Sequence, residues 1–101
     1  MAISIFCYTS KDIEEASALV DDKISKLSYF SSGDFLVSQI FRVSRTEKEI
    51  AAEYEFNAKN LFLVTLNKKD KANEIQELFK IIKEIFGSRS ILLLLENEKV
   101  I

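Results

Sequence analysis

Residues 60–67 read NLFLVTLN, and this stretch decides which fold class the sequence predicts. It is almost wholly apolar and has the length of one strand, so both of its faces must be buried. Residues 91–95, ILLLL, have the same character. Strands that are apolar on both faces are typical of parallel sheets, because helices cover such sheets on two sides. The two stretches therefore favour an α/β domain with a mostly parallel sheet.

The rest of the chain supplies the helices and the remaining strands of a βαβαβαβ pattern. Strands are expected at 2–8, 35–44, 60–67 and 90–96, and helices at about 10–29, 46–56 and 71–86. With right-handed crossovers, one arrangement gives a sheet of about four strands in the order 2-1-3-4 between two helical layers. All 101 residues fit a single compact domain, since a chain of this size builds one core.

Polar residues and glycines mark the expected helix ends. Thr9 with Asp12, and Thr46 with Glu49, have the spacing of a capping box. Asp70 is expected to cap the last helix, while Gly33 and Gly87 are expected to end the helices before them.

Residues 46–56 allow a second interpretation. Ile50, Ala52, Tyr54 and Phe56 alternate as they would in a strand. Alanine and glutamate are strong helix formers, so we prefer the helix. The alternative makes 49–56 a strand of an α+β, ferredoxin-like sheet.

Composition excludes several classes of function. The net charge is −2 and the pI about 5.2, whereas direct nucleic-acid binding usually requires a basic surface. No apolar run is long enough to span a membrane, and the N-terminus does not resemble a signal peptide. The chain has no histidine and one cysteine, so we expect no metal and no cofactor, and one unpaired cysteine fits the reducing cytoplasm.

Cys7 and Ser10 have the spacing of a Cys-x-x-Ser motif. A reactive thiol of that kind sits at a helix N-terminus, where its pKa is lowered. Because the expected helix begins after Thr9, Cys7 lies inside a strand, where we interpret it as a small buried apolar residue. We therefore predict that the protein is not an enzyme and has no catalytic residue.

Acidic residues cluster on the two predicted helices that follow the first two strands. They are Asp12, Glu14, Glu15, Asp21 and Asp22, then Glu47, Glu49, Glu53 and Glu55. If the apolar stripes of both helices pack on the sheet, these carboxylates face solvent, where they can bind a basic partner.

The parallel sheet would also place a crevice between strands one and three, where strand order reverses and ligands commonly bind. The loops at that crevice would contribute Thr9, Ser10, Lys11, Lys68 and Lys69. Hydroxyls, lysines and helix starts are suited to anions, so this is a possible anion site.

The hypothesis that best fits these features is a non-catalytic, protein-binding module of the cytoplasm. In its sharpest form, it is a small immunity or antitoxin protein that neutralises a bacterial toxin, such as a basic nuclease, through its acidic surface. The alternative is a small-ligand subunit that senses an anion at the predicted crevice. Strand 35–44 has the character of an edge strand and could pair with a second copy, so the oligomeric state is left open.

Overall fold

The computed structural model describes residues 3–67 and 73–96, and the backbone alone of residues 99–100. The strands are β1 (Ile3–Thr9), β2 (Phe35–Val37), β3 (Phe41–Arg42), β4 (Asn60–Leu66), β5 (Ile91–Leu95) and β6 (Lys99–Val100). The helices are α1 (Ile13–Leu19), which continues into a wide helical turn (Val20–Ile24), α2 (Ser28–Ser31), α3 (Arg45–Ala52) and α4 (Ile75–Phe86). All four expected strand positions therefore contain strands, and the main body of each expected helix is helical.

Every strand pairing in the described sheet is antiparallel. The strand order is β2-β4-β1-β5-β6, and β3 also pairs with β4. On the central strand, Cys7 lies opposite Phe62 of β4 on one side and opposite Leu93 of β5 on the other. The predicted mostly parallel sheet of order 2-1-3-4 is therefore wrong.

Two helices do connect strands that run in the same direction, which explains the incorrect prediction. Helix α1 leads from β1 to β2, and both of these strands are antiparallel to β4, which lies between them. Helix α4 leads from β4 to β5, and both are antiparallel to β1 between them. Each pair is thus separated by one strand of opposite direction, and a pattern of alternating strands and helices does not reveal such an insertion.

Residues 45–52 form helix α3, so the strand at 49–56 of the ferredoxin-like alternative is also wrong. Ser44 Oγ accepts from the Glu47 amide at 3.2 Å, and Glu47 Oε1 accepts from the Ser44 amide at 2.7 Å. This capping box lies two residues before the predicted pair of Thr46 and Glu49. The helix can begin there because the chain stays extended through Ser44, just after Val43, whose amide donates to the Lys59 carbonyl.

The first helix is shorter than the predicted span of 10–29. Asp12 alone caps α1, because its Oδ1 accepts from the Glu15 amide at 3.0 Å, while Thr9 ends β1. The Ser25 amide donates to the Val20 carbonyl five residues earlier, at 2.8 Å, which makes the turn after α1 wide. Gly33 and Gly87 have φ values of +83° and +90°, as expected of residues that end helices.

A β-bulge interrupts the predicted strand 35–44. Val37 pairs with Val64 and Phe41 with Leu61, so three residues at 38–40 oppose two on β4. The Ser38 hydroxyl takes part in the ladder, because it accepts from the Leu63 amide at 2.8 Å. The extra residue shifts the alternation, so Phe35 and Val37 pack on one face of the sheet and Val43 packs on the other. Bulges also make an edge strand less able to pair with another chain.

The sheet buries a core on each face. The larger core lies beneath α1 and α4, and the rings of Phe62 and Phe86 stack there at 5.5 Å. The smaller core lies on the other face beneath α3 and is built around Tyr8, Ala51 and Leu94. Burial on both faces is why β4 is largely apolar and β5 entirely so. The predicted cap at Asp70 lies outside the described residues.

Candidate functional site

The acidic residues of the first cluster line the solvent side of α1 and of the turn that follows it. Ala16, Val20 and Ile24 point into the larger core and are almost fully buried. All five acidic residues are exposed, namely Asp12, Glu14, Glu15, Asp21 and Asp22. Lys11 Nζ lies 3.1 Å from Glu15 Oε2, so one of these charges is partly balanced within the chain. Their exposure agrees with the prediction, and their binding of a partner stays a prediction.

The second acidic cluster belongs to α3 and the residues after it. Glu49, Glu53 and Glu55 are exposed, whereas Glu47 is half-buried because its carboxylate holds the capping box. Arg45 Nε lies 3.7 Å from Glu49 Oε1, and both side chains are largely exposed, so this pair contributes little to stability.

The sheet separates the two acidic clusters. Helix α1 packs on the face that carries Ile5 and Cys7, and α3 packs on the face that carries Tyr8. Both helices nevertheless begin at the same end of the sheet, where β1 ends and β4 begins. The first turns of the two helices therefore lie at one end of the sheet.

The strand directions in the described part of the chain do not form the predicted anion crevice. Strands β1 and β4 are antiparallel, so Thr9 lies opposite Asn60, while Leu66 lies opposite Ile3 at the other end of the sheet. Lys68 and Lys69 lie outside the described residues. The crevice between parallel strands, on which this prediction depended, is absent from the described sheet.

The polar groups at the end of β1 instead hold the chain in place. Thr9 is fully buried, and its hydroxyl donates to the Ser90 carbonyl at 2.8 Å and accepts from the Lys11 amide at 3.1 Å. The Asn60 side chain donates to the Lys11 carbonyl at 2.9 Å. The Ser10 amide also donates to the Ser90 carbonyl, at 3.2 Å. These bonds fix the segment that delivers Asp12 to the start of α1.

Cys7 has the environment of a packing residue. It is fully buried on the central strand, and burial raises the pKa of its thiol far above the ordinary range. A thiol that stays protonated is a poor nucleophile and a poor metal ligand. Within the described parts of the chain, no group of acidic or cysteine side chains could hold a metal ion.

One cleft, at the end of the sheet, was not predicted from the sequence. It lies between the first turn of α1 and α3, and Arg42, Lys48 and Lys59 line it together with Asp12. In the sequence Lys48 is surrounded by glutamates and the other two cations are far from it, so no local pattern indicates that they meet. Leu36, Phe41 and Tyr54 are also partly exposed, at 52%, 38% and 37%.

The described helices include none that is both long and apolar enough to cross a membrane. Comparison with known proteins gives three findings. Residues 1–99 match the family model described as "CDI System Immunity Component". The chain is 39% identical, over 98 residues, to "Immunity protein CdiI-2" of Burkholderia pseudomallei (strain 1026b), and the alignment covers 97% of each protein. It is also similar to a chain of the "CdiA-CT/CdiI toxin and immunity complex from Burkholderia pseudomallei", with a TM-score of 0.88, 37% identity, and coverage of 97% of this chain and 95% of that one.

Proposed function

Because the chain belongs to the family of CDI system immunity components, it is a toxin-neutralising immunity protein and not an enzyme, and we propose that it binds a basic toxin through its acidic helix starts. The match over nearly the whole chain to an immunity protein is the observation that supports the neutralising role. The similar solved structure is a complex of a CdiA-CT toxin with its immunity protein, so a toxin of that kind is the partner we propose. The alternative function, an anion-sensing subunit, has lost the parallel-strand crevice that motivated it.

We place the proposed toxin contact at the end of the sheet where α1 and α3 begin. Asp12, Glu14 and Glu15 lie in or next to the first turn of α1, and Glu47 lies in the first turn of α3. These carboxylates are held by capped helices, so they can meet cationic side chains without much ordering of the chain. Asp21 and Asp22 lie two turns further along, on the same side of the sheet as α1.

A toxin with a basic contact surface fits a nuclease, because an enzyme that binds a polyanion needs cations around its active site. We propose that the toxin is of this class and that neutralisation occurs in the cytoplasm. The buried, unpaired Cys7 is compatible with a reducing compartment. One equivalent of the protein is expected to stop nucleic-acid cleavage by the toxin encoded beside its gene. Unchanged cleavage at saturation would exclude this mode of action.

The contact itself is tested by removing charge from two positions on the same helical segment. We expect the double substitution Glu14→Gln and Glu15→Gln to weaken binding of the purified toxin about tenfold, since exposed ion pairs contribute roughly 0.2–1 kcal/mol each. The loss is expected mainly in the association rate, with a weaker dependence on salt.

The matched control is the pair Asp21→Asn and Asp22→Asn, which removes the same charge further along the same segment. Little change is expected there. Equal losses for both pairs in surface plasmon resonance would show that only the net charge matters, and no loss for the first pair would remove the α1 start from the interface.

A further inference from the structure

Three cations converge at one cleft of this otherwise acidic protein. The cleft has a volume of about 400 Å³ and opens where α1, α3 and the β3–β4 edge of the sheet meet. Its lining consists of Asp12, Ile13, Arg42, Val43, Lys48, Ala58, Lys59 and Asn60. Ala58 and Asn60 are almost fully buried, at 1% and 3% exposure, so the cleft rests on packed structure.

The backbone fixes two of the three cations. Arg42 ends β3 and pairs with Asn60 in the ladder. Lys59 is held on both sides, because its amide donates to the Thr9 carbonyl at 2.9 Å and its carbonyl accepts from the Val43 amide at 3.2 Å. Lys48 comes from α3, whose start is fixed by the capping box. The three cationic side chains therefore extend from fixed backbone positions around one opening.

No ion pair neutralises these cations within the described residues. In the parts of the chain that the structure describes, the ion pairs join Lys11 to Glu15 and Arg45 to Glu49, and none involves a cation of the cleft. The lining has one carboxylate, Asp12, whose Oδ1 already accepts from the Glu15 amide. Three cations against one carboxylate leave a formal charge of +2 in a protein whose net charge is −2.

We propose that this cationic cleft binds a carboxylate side chain of the cognate toxin. The inference depends on the proposed function and deepens it: the toxin presents basic residues to the helix starts and at least one acidic residue to the cleft between them. Alternating charges across an interface fix its register and disfavour toxins with a different pattern. A nucleic acid fits less well, because Glu14, Glu15 and Glu47 beside the cleft repel a polyanion while a single carboxylate avoids them.

The test reverses the charge of the cleft. The double variant Arg42→Glu, Lys59→Glu is compared with a control double variant, Lys23→Glu, Lys26→Glu. The control changes two exposed lysines, one in the wide turn that follows α1 and one just after it. Both doubles change the net charge by the same amount, because each exchanges two cations for two anions. We expect the dissociation constant for the purified toxin to rise about 100-fold in the cleft variant, which is roughly tenfold for each charge pair, and a few-fold at most in the control.

A second measurement identifies the acidic group. Each Asp and Glu of the toxin's surface is replaced by Ala, and each variant is titrated with the wild type and with Arg42→Ala. At least one toxin carboxylate is expected to couple to Arg42 by about tenfold in a double-mutant cycle. If the charge reversal unfolds the protein in a urea titration, the milder pair Arg42→Gln and Lys59→Gln replaces it, with an expected loss of about tenfold.

Equal losses in the cleft and control variants would overturn the inference and leave the proposed function intact. Saturable binding of a fluorescent RNA duplex by the free protein, lost on reversal of the cleft, would overturn it in favour of a nucleic-acid site. A wild-type protein that fails to bind the toxin at all would overturn both proposals.

Discussion

The substitution Thr9→Val tests how the end of β1 is held. Thr9 is fully buried, and valine has nearly its shape but no hydroxyl. The Ser90 carbonyl loses one donor yet keeps the Ser10 amide, so the main cost falls on the Lys11 amide, whose acceptor is removed. An unsatisfied, partly buried donor costs about 1–3 kcal/mol, so we expect the free energy of unfolding to fall by about 2 kcal/mol.

Such a loss is large for a domain of this size, because total stabilities are about 5–15 kcal/mol. A urea titration followed by circular dichroism measures it, and the midpoint of thermal unfolding should fall by about 10 °C. The matched control is Thr65→Val on β4, a half-buried threonine whose hydroxyl bonds to none of the described residues. A change within about 0.5 kcal/mol is expected there. Equal effects at the two threonines would refute the assignment of this role to the Thr9 hydroxyl.

Two further predictions concern the bulge and the buried thiol. Ser38→Ala leaves the Leu63 amide without its acceptor and should cost about 1–2 kcal/mol in the same titration, whereas Ser31→Ala, which removes an exposed hydroxyl, should cost less than about 0.5 kcal/mol. Cys7 should resist iodoacetamide in the folded protein and react in urea, as read by mass spectrometry, because the folded state keeps its thiol protonated. Below the ordinary thiol pKa, near 9.0, Cys7 is protonated in both the folded and the unfolded state. Above it only the unfolded state loses the proton, so the free energy of unfolding should fall by about 1.4 kcal/mol by about pH 10. The variant Cys7→Ala should not show this fall. Rapid alkylation of the folded protein, or parallel pH profiles of the two variants, would contradict the assignment of Cys7 to the sealed core.

Local patterns in the sequence predict the elements of this fold better than their arrangement. The apolar runs at 60–67 and 91–95 do form strands buried on both faces. Such burial requires packed layers on both faces of the sheet. An antiparallel sheet can be covered in this way as well as a parallel one. The direction of pairing depends on which strand is inserted between two others, and that choice is made by contacts far apart in the chain.

The same limit applies to the residue at which α3 begins and to the edge strand. Ser44 with Glu47, and Thr46 with Glu49, have the same spacing, so the sequence does not decide between them. The pairing of Val43 with Lys59 decides it, because it keeps the chain extended up to Ser44. The bulge at Ser38 has no signal beyond a serine in an alternating strand. The exposure of the acidic residues followed from amphipathic patterning, whereas the positions of the clusters on opposite faces required the topology.

The cationic cleft illustrates how the end of a sheet brings together residues that are far apart in the sequence. Arg42 and Lys48 are six positions apart, and Lys59 follows eleven positions later, yet ladder bonds and a capped helix bring all three to one opening. The backbone that carries these side chains is already ordered before binding, so less conformational entropy is lost when a partner arrives. Like charges held together repel one another in the free protein, and a carboxylate from the partner would relieve that repulsion. If the cleft binds a toxin carboxylate as proposed, the relief of this repulsion adds to the affinity for an anion placed among the three cations.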